Sequence, residues 1–296
     1  MKQTVFTGAA CAIVTPFSSD RKIDYKTLKK QVDFQIENGT DAIVVCGTTG
    51  ESSVLSTREH RQVIKSVVKY VDKRVPVIAG TGSNSTESAV KRSYSAESVG
   101  ADALLIVTPY YNKCSQTGLI EHYEFISERT DLPIIVYNVP SRTGVDIKPE
   151  TYMELCKIRN IVATKEANGN ISALMKTISL CGDELTIYCG NDDQTSAFMA
   201  MGAKGVISVL SNIMPEEMHK LATSVLLGKT KQSVATQVKL LDIANILFCD
   251  VNPIPVKYAM KQMGIDSGVY RLPLSDTSEA NKRRIRDCLR KHSLIQ

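Results

Sequence analysis

Short apolar runs alternate with longer stretches of mixed polarity along most of the chain. Eight runs stand out, at residues 10–14, 42–45, 75–79, 103–107, 134–137, 161–164, 185–189 and 205–209. They carry little internal polar alternation, which is the pattern of parallel strands buried on both faces. The stretches between them have helical spacing. Leu28, Val32 and Ile36 share one face of a helix that starts near Asp24 and stops at Gly39. Ser56 with Glu59 makes a capping-box pattern ahead of Val63, Ile64, Val67 and Val71. Asn84 with Glu87 gives a second such start, for a helix ending near Gly100, and Pro149 suits the first turn of a short helix.

Eight strand–helix units predict an α/β fold of the (β/α)8 TIM-barrel type. An open doubly wound sheet permits the same alternation, and the count of eight favours closure. After about residue 226 the strand pattern ends, and helical stretches follow at 231–248, 253–264 and 276–292, broken at Asn252-Pro253 and Leu272-Pro273. This predicts a catalytic barrel over 1–226 and a C-terminal helical appendage over 227–296, the latter offering a surface for oligomerisation. A barrel of about 250 residues plus a short appendage accounts for the length.

Composition narrows the class. The chain is 43% hydrophobic and 23% charged, ordinary for a soluble globular protein, and its net charge of +5 is spread thinly. The one dense basic stretch, Lys282, Arg283, Arg284, Arg286, Arg290 and Lys291, reads as the solvated face of a terminal helix. Without an aromatic platform beside it, no nucleic-acid partner is expected. None of the eight cysteines forms a CxxC pair, and most sit in apolar segments, as reduced thiols of a cytoplasmic protein would. No apolar run reaches the length of a membrane span, and the N-terminal apolar run ends in Thr15-Pro16-Phe17 like a first strand, so neither a membrane partner nor a signal peptide is expected.

In a barrel, chemistry gathers where strands end. Lys165 follows the sixth run directly. Burial disfavours a lysine's charged form and so yields a neutral amine able to attack a ketone, though a lone lysine after a strand is more often a solvated cap. Tyr137 ends the fifth run and could shuttle protons to a carbinolamine on Lys165, or simply close the core with its hydroxyl at the rim. Thr48 and Thr49 lie between Gly47 and Gly50, a loop whose free N–H groups and hydroxyls suit a carboxylate, or else a tight turn of small residues. Arg142 follows the fifth run and could clamp a carboxylate; a solvent-exposed arginine is the ordinary alternative. Tyr110 and Tyr111 are adjacent and so do not easily face one pocket; one could serve the site and the other an interface. Asp192-Asp193 after the seventh run argues against the phosphate site that many barrels place there. His60, His122, His219 and His292 fall in helical stretches, no spacing suggests a metal, and no nucleotide loop is present, so no cofactor is expected.

The segments AIVTPF, GTTGES, AGTGSN, LLIVTPYYNK, YNVPSRTG, ATKEANGN and GNDD occur in one order along nearly the whole chain. In this the chain resembles the dihydrodipicolinate synthase family, within the pyruvate-dependent class I aldolases that include N-acetylneuraminate lyase. The resemblance implies a lyase that condenses pyruvate with L-aspartate-4-semialdehyde through a Schiff base on Lys165, giving 4-hydroxy-tetrahydrodipicolinate on the diaminopimelate route to lysine. It further implies that Tyr137 donates and accepts protons, and that Thr48 and Tyr111 complete its relay, Tyr111 crossing a dimer interface. Thr49 would hold the pyruvate carboxylate, Ile207 would meet pyruvate through its backbone, and Arg142 would receive the carboxylate of the semialdehyde. A homotetramer built as a dimer of dimers is implied as well. GTTGE rather than the GSTGE of sialate lyases, together with Arg142, favours this branch.

Many members of the family bind lysine at a dimer interface. The corresponding positions here include Ser52, Ser53, His60, Asn84 and Tyr110. The usual acidic partner of the lysine ammonium is replaced by Ser88, with Glu87 one place earlier, and a histidine of that site is Thr57. Weak or absent inhibition by lysine is therefore expected. The competing readings are an aldolase for a keto-deoxy sugar acid, a catalytically silent sensor, which would be expected to lose Lys165 or Tyr137, and a phosphate-binding isomerase.

Overall fold

The computed structural model describes residues 2–296. Its strands are β1 (Gly8–Ala12), β2 (Ala42–Val45), β3 (Val77–Gly80), β4 (Ala103–Val107), β5 (Ile134–Asn138), β6 (Ile161–Glu166), β7 (Thr186–Cys189) and β8 (Gly205–Ser208). All pair in parallel with their sequence neighbours, and β8 returns to β1, closing the barrel. The helices between them are α1 (Tyr25–Glu37), α2 (Thr57–Val71), α3 (Thr86–Glu97) and α4 (Gln116–Ser127). After β5 come a single turn, α5 (Pro140–Thr143), and α6 (Pro149–Leu155); then follow α7 (Ile171–Cys181), α8 (Thr195–Ala200) and α9 (Pro215–Leu226). Three helices extend past the barrel: α10 (Thr230–Ile246), α11 (Ile254–Gln262) and α12 (Glu279–Lys291).

The eight runs and the three final helices are thus found where expected, with shifted ends. The first strand begins and ends two residues earlier, the third begins at Val77, and the sixth runs through Lys165 and Glu166 rather than stopping before them. Asp24 caps α1, and Ser56 with Glu59 forms the capping box of α2. The start of α3 differs from the Asn84–Glu87 expectation: Ser85 is the cap and accepts from the Ser88 N–H. His292 caps the end of α12 rather than lying inside it. The basic stretch is also less uniformly solvated than expected, since Arg286 donates to the Tyr258 hydroxyl and Lys282 pairs with Asp276 and Glu279.

Side chains alternate across each strand, so one set fills the barrel and the other meets the helices. Ala10, Val44, Ile78, Leu105, Ile135, Ala163 and Ile207 form the inner set, and Cys11, Ile43, Val45, Leu104, Ile134, Val136 and Ile161 pack outward. Small inner residues on β1 and β2 leave room for larger ones opposite. Phe6 stacks on Tyr188 at 4.2 Å, and the Tyr188 hydroxyl donates to the Phe6 carbonyl at 2.8 Å. None of the eight cysteines is bonded to another. No helix among the described residues is long and apolar enough to cross a membrane.

Candidate active site

Two residues beyond Ala163 on β6, Lys165 falls on the inner face of the barrel. It stands level with Tyr137 on β5 and Tyr188 on β7. Its side chain is 6% exposed and opens into a cavity of about 390 Å³. Burial pulls its pKa down from 10.5 to about 8; Asp192 and Cys189 act against this and Arg142 adds to it. At neutral pH a useful fraction of the amine is therefore neutral, which an exposed lysine would not provide. The Lys165 Nζ lies 4.5 Å from the centre of the Tyr137 ring.

Tyr137 is equally enclosed, and burial pushes its phenol up to about 12. Arg142 and a hydrogen bond with Thr48 pull the other way. The phenol thus rests protonated, with a hydroxyl partner already in place. Thr48, Thr49, Tyr137, Arg142 and Lys165 all line the one cavity, so five of the residues singled out at strand ends converge.

The others stand apart. Ile207 lies lower on β8 with its side chain in the inner core, and the cavity wall beyond that strand is Val209. Tyr111 is 91% exposed and outside the cavity, its φ of 71° holding it in the left-handed region that non-glycine residues seldom adopt. His60 is buried and its Nε2 meets the Gly80 carbonyl at 2.8 Å. Ser53 is exposed, Ser52, Asn84 and Tyr110 are half-buried, and the Asn84 carbonyl accepts from the Asn112 side chain at 2.9 Å. Glu87 points outward and pairs with Lys91 at 3.7 Å.

Several supporting groups escaped the sequence reading. Asn252 closes the cavity from the segment after α10; its side-chain N–H donates to the Thr49 hydroxyl at 3.0 Å, and its carbonyl accepts from Arg142 at 3.1 Å. Only its place before a proline marked it in the sequence. Glu51, next to the threonine loop, is tied to Lys257 of α11 by a fully buried ion pair of 2.7 Å. Lys257 also donates to the Thr15 carbonyl at 2.9 Å. Behind Lys165, Glu166 accepts from Asn138, Tyr152 and the Asn168 N–H, at 2.8 to 3.1 Å. Burial lifts Glu166 to about 7 against those donors. The Asp192 carboxylate accepts the N–H groups of Val209 and Leu210 at 3.0 and 2.8 Å. These are backbone donors of the kind a phosphate would use, already engaged by an anion of the protein itself.

A buried lysine with part of its amine neutral, a protonated phenol, paired hydroxyls and a guanidinium around one cavity can form an imine with a keto acid and move the protons this requires. The sequence pattern of the dihydrodipicolinate synthetase family matches residues 5–292. The 4-hydroxy-tetrahydrodipicolinate synthase of Clostridium novyi is 47% identical over 98% of this chain and 98% of its own. The crystal structure of dihydrodipicolinate synthase from Aquifex aeolicus superposes with a TM-score of 0.96 at 42% identity, covering 98% of this chain and 99% of that one. The Acinetobacter baumannii enzyme, solved in complex with pyruvate, gives 0.96 at 43% identity over 99% and 100%.

Proposed function

The chain belongs to the dihydrodipicolinate synthetase family, and on that premise we infer that it condenses pyruvate with L-aspartate-4-semialdehyde to give 4-hydroxy-tetrahydrodipicolinate. The observation that carries the mechanism is the buried Lys165 amine beside the Tyr137 phenol.

The neutral Lys165 amine adds to the pyruvate carbonyl carbon. Tyr137 protonates the departing hydroxyl, water leaves, and an imine remains. Loss of a methyl proton gives the enamine, whose carbon attacks the aldehyde of the second substrate. The amino group of that substrate then displaces Lys165 from the former carbonyl carbon, which closes the ring and frees the enzyme. Thr48 and Tyr111 pass protons between Tyr137 and solvent, Tyr111 being supplied by a second copy of the chain. Thr49 and the backbone of Ile207 hold pyruvate, and Arg142 receives the semialdehyde carboxylate. A homotetramer, a cytoplasmic location, and a division into a barrel of 1–226 and an appendage of 227–296 belong to the same proposal.

Borohydride reduction in the presence of pyruvate, followed by peptide mass spectrometry, tests the chemistry. The expected adduct is on Lys165, and an unmodified Lys165 peptide would overturn the mechanism. Arg142→Ala should still be trapped by pyruvate while losing most turnover with the semialdehyde. Unchanged turnover would remove Arg142 from the second substrate's site.

A further inference from the structure

Away from the catalytic cavity, one group of three side chains among the described residues combines a carboxylate, a thiol and an imidazole. Asp242 of α10, Cys288 of α12 and His292 at the end of α12 each bring one ligand atom within 4.8 Å of the other two. We propose that these residues form a binding site for a divalent transition-metal ion of the zinc class. The sequence shows only the spacing of Cys288 and His292, four residues apart and so on one face of the last helical turn. The third donor comes from a different helix and is invisible until the two pack together.

The local geometry is arranged around one carboxylate. Asp242 Oδ2 accepts from the Lys291 ammonium at 2.6 Å, while Oδ1 meets His292 Nε2 at 2.8 Å. Oδ1 also accepts the Ile243 N–H at 2.9 Å, so Lys291 and Ile243 hold the carboxylate from outside, as outer partners commonly do at metal sites, and Oδ1 keeps one lone pair for the ion. The His292 side chain is only 6% exposed, so its ring is held in place by packing. Metal bonds of about 2.0 to 2.3 Å separate neighbouring tetrahedral ligand atoms by roughly 3.3 to 3.8 Å. Admitting the ion therefore requires the Asp242–His292 contact to open by about half an ångström, a small side-chain rotation.

An ion pair between α10 and α12 would explain Asp242, Lys291 and His292. It does not involve the Cys288 thiol, which packs at the edge of the apolar core with its sulfur within 4.8 Å of the other two donor atoms. A divalent ion bound there would balance the charge of the thiolate and displace the thiol proton to solvent. Sulfur, nitrogen and carboxylate donors together favour zinc or cobalt over magnesium or calcium. Three protein ligands leave a fourth position for water. Surface depressions of about 1030 and 520 Å³ flank the cluster, and Asp242, Asn245 and Lys291 border both.

The full-length protein, reduced and stripped with chelator, is titrated with Co²⁺ as the probe. One equivalent should produce a thiolate-to-cobalt charge-transfer band and visible bands of four-coordinate strength, both erased by Zn²⁺. Cys288→Ser should abolish the charge-transfer band, and Asp242→Asn should weaken binding at least tenfold. Cys249→Ser, which removes the other thiol bordering the same depression, should leave the band intact. A second measurement needs no variant: Zn²⁺ should protect Cys288 from alkylation in peptide mass spectra. Absence of the band, its survival in Cys288→Ser, its loss in Cys249→Ser, or unprotected Cys288 would each overturn the site.

Discussion

The proposed role of Lys165 comes at a cost to folding, because the barrel interior that would make its amine nucleophilic also opposes its charge. Its folded pKa, about 8, lies below the unfolded 10.5. Stability from this group is therefore complete above pH 10.5 and is lost as pH falls through 8, worth up to about 3 kcal/mol. Lys165→Met should be more stable than the parent at neutral pH by up to that amount in urea unfolding, with the difference closing as pH rises through this window. A variant no more stable than the parent at neutral pH would show that Asp192 offsets the burial. For the same reason the initial rate of pyruvate trapping should rise about tenfold per pH unit below about 8 and level above it. A flat profile would place the ionisation elsewhere. Lys165 and Tyr137 were legible in the sequence because each adjoins an apolar run that predicts a strand end. Asn252 was not, because the hydroxyl it binds belongs to a residue 203 positions away.

Among the elements, α11 supports the threonine loop without lining the cavity. Lys257 lies fully buried between the Glu51 carboxylate and the Phe17 ring, its Nζ 4.5 Å from the ring centre. Glu51 adopts a left-handed backbone conformation at the end of the threonine loop, so the ion pair holds that loop in a conformation it would otherwise resist. Lys257→Met strands a buried carboxylate and should cost about 3 to 5 kcal/mol in urea unfolding. In whatever fraction folds, the KM for pyruvate should rise more than kcat falls, because Thr48 and Thr49 lose their anchor. An unchanged KM would make the pair purely structural. Joining Glu51→Leu to Lys257→Met should recover most of the stability and none of the affinity. Sequence patterning located these elements to within a few residues, since hydrophobic period sets where a strand or helix must lie. It placed the start of α3 one residue early, since Asn84, Ser85 and Glu87 all carry capping chemistry and the backbone chose Ser85. The ion pair was beyond its reach, as pairing across 206 positions is set by the closed barrel.

At the scale of the whole molecule, the chain presents features that a lone copy leaves unused. At the positions expected to form a lysine site, Ser88 offers no carboxylate, Glu87 is turned outward to Lys91, and His60 is spent on the Gly80 carbonyl. Lysine added to a coupled assay should therefore inhibit weakly or not at all; strong inhibition at low lysine concentration would refute this. Two further features concern assembly. Val234, Val238 and Leu241 form an exposed apolar stripe on α10, and Ile171 and Met175 are exposed on α7. Tyr111, the remaining member of the proposed proton relay, stands out from the surface on a left-handed residue, outside the cavity of its own chain. The two features make separable predictions under the proposed dimer of dimers. Val238→Glu puts a charge in the α10 stripe and should reduce a tetramer to dimers in sedimentation velocity. Tyr111→Phe should leave assembly intact, because the ring and its packing remain, yet lower kcat by about a hundredfold through loss of one proton-transfer group. Mixing Tyr111→Phe with Lys165→Ala should then restore activity in hybrids, where an intact Lys165 on one copy meets an intact Tyr111 from the other. No recovery in hybrids shown to form would mean that Tyr111 acts within its own chain or not at all. Recovery would establish that the site this barrel builds is completed by its neighbour.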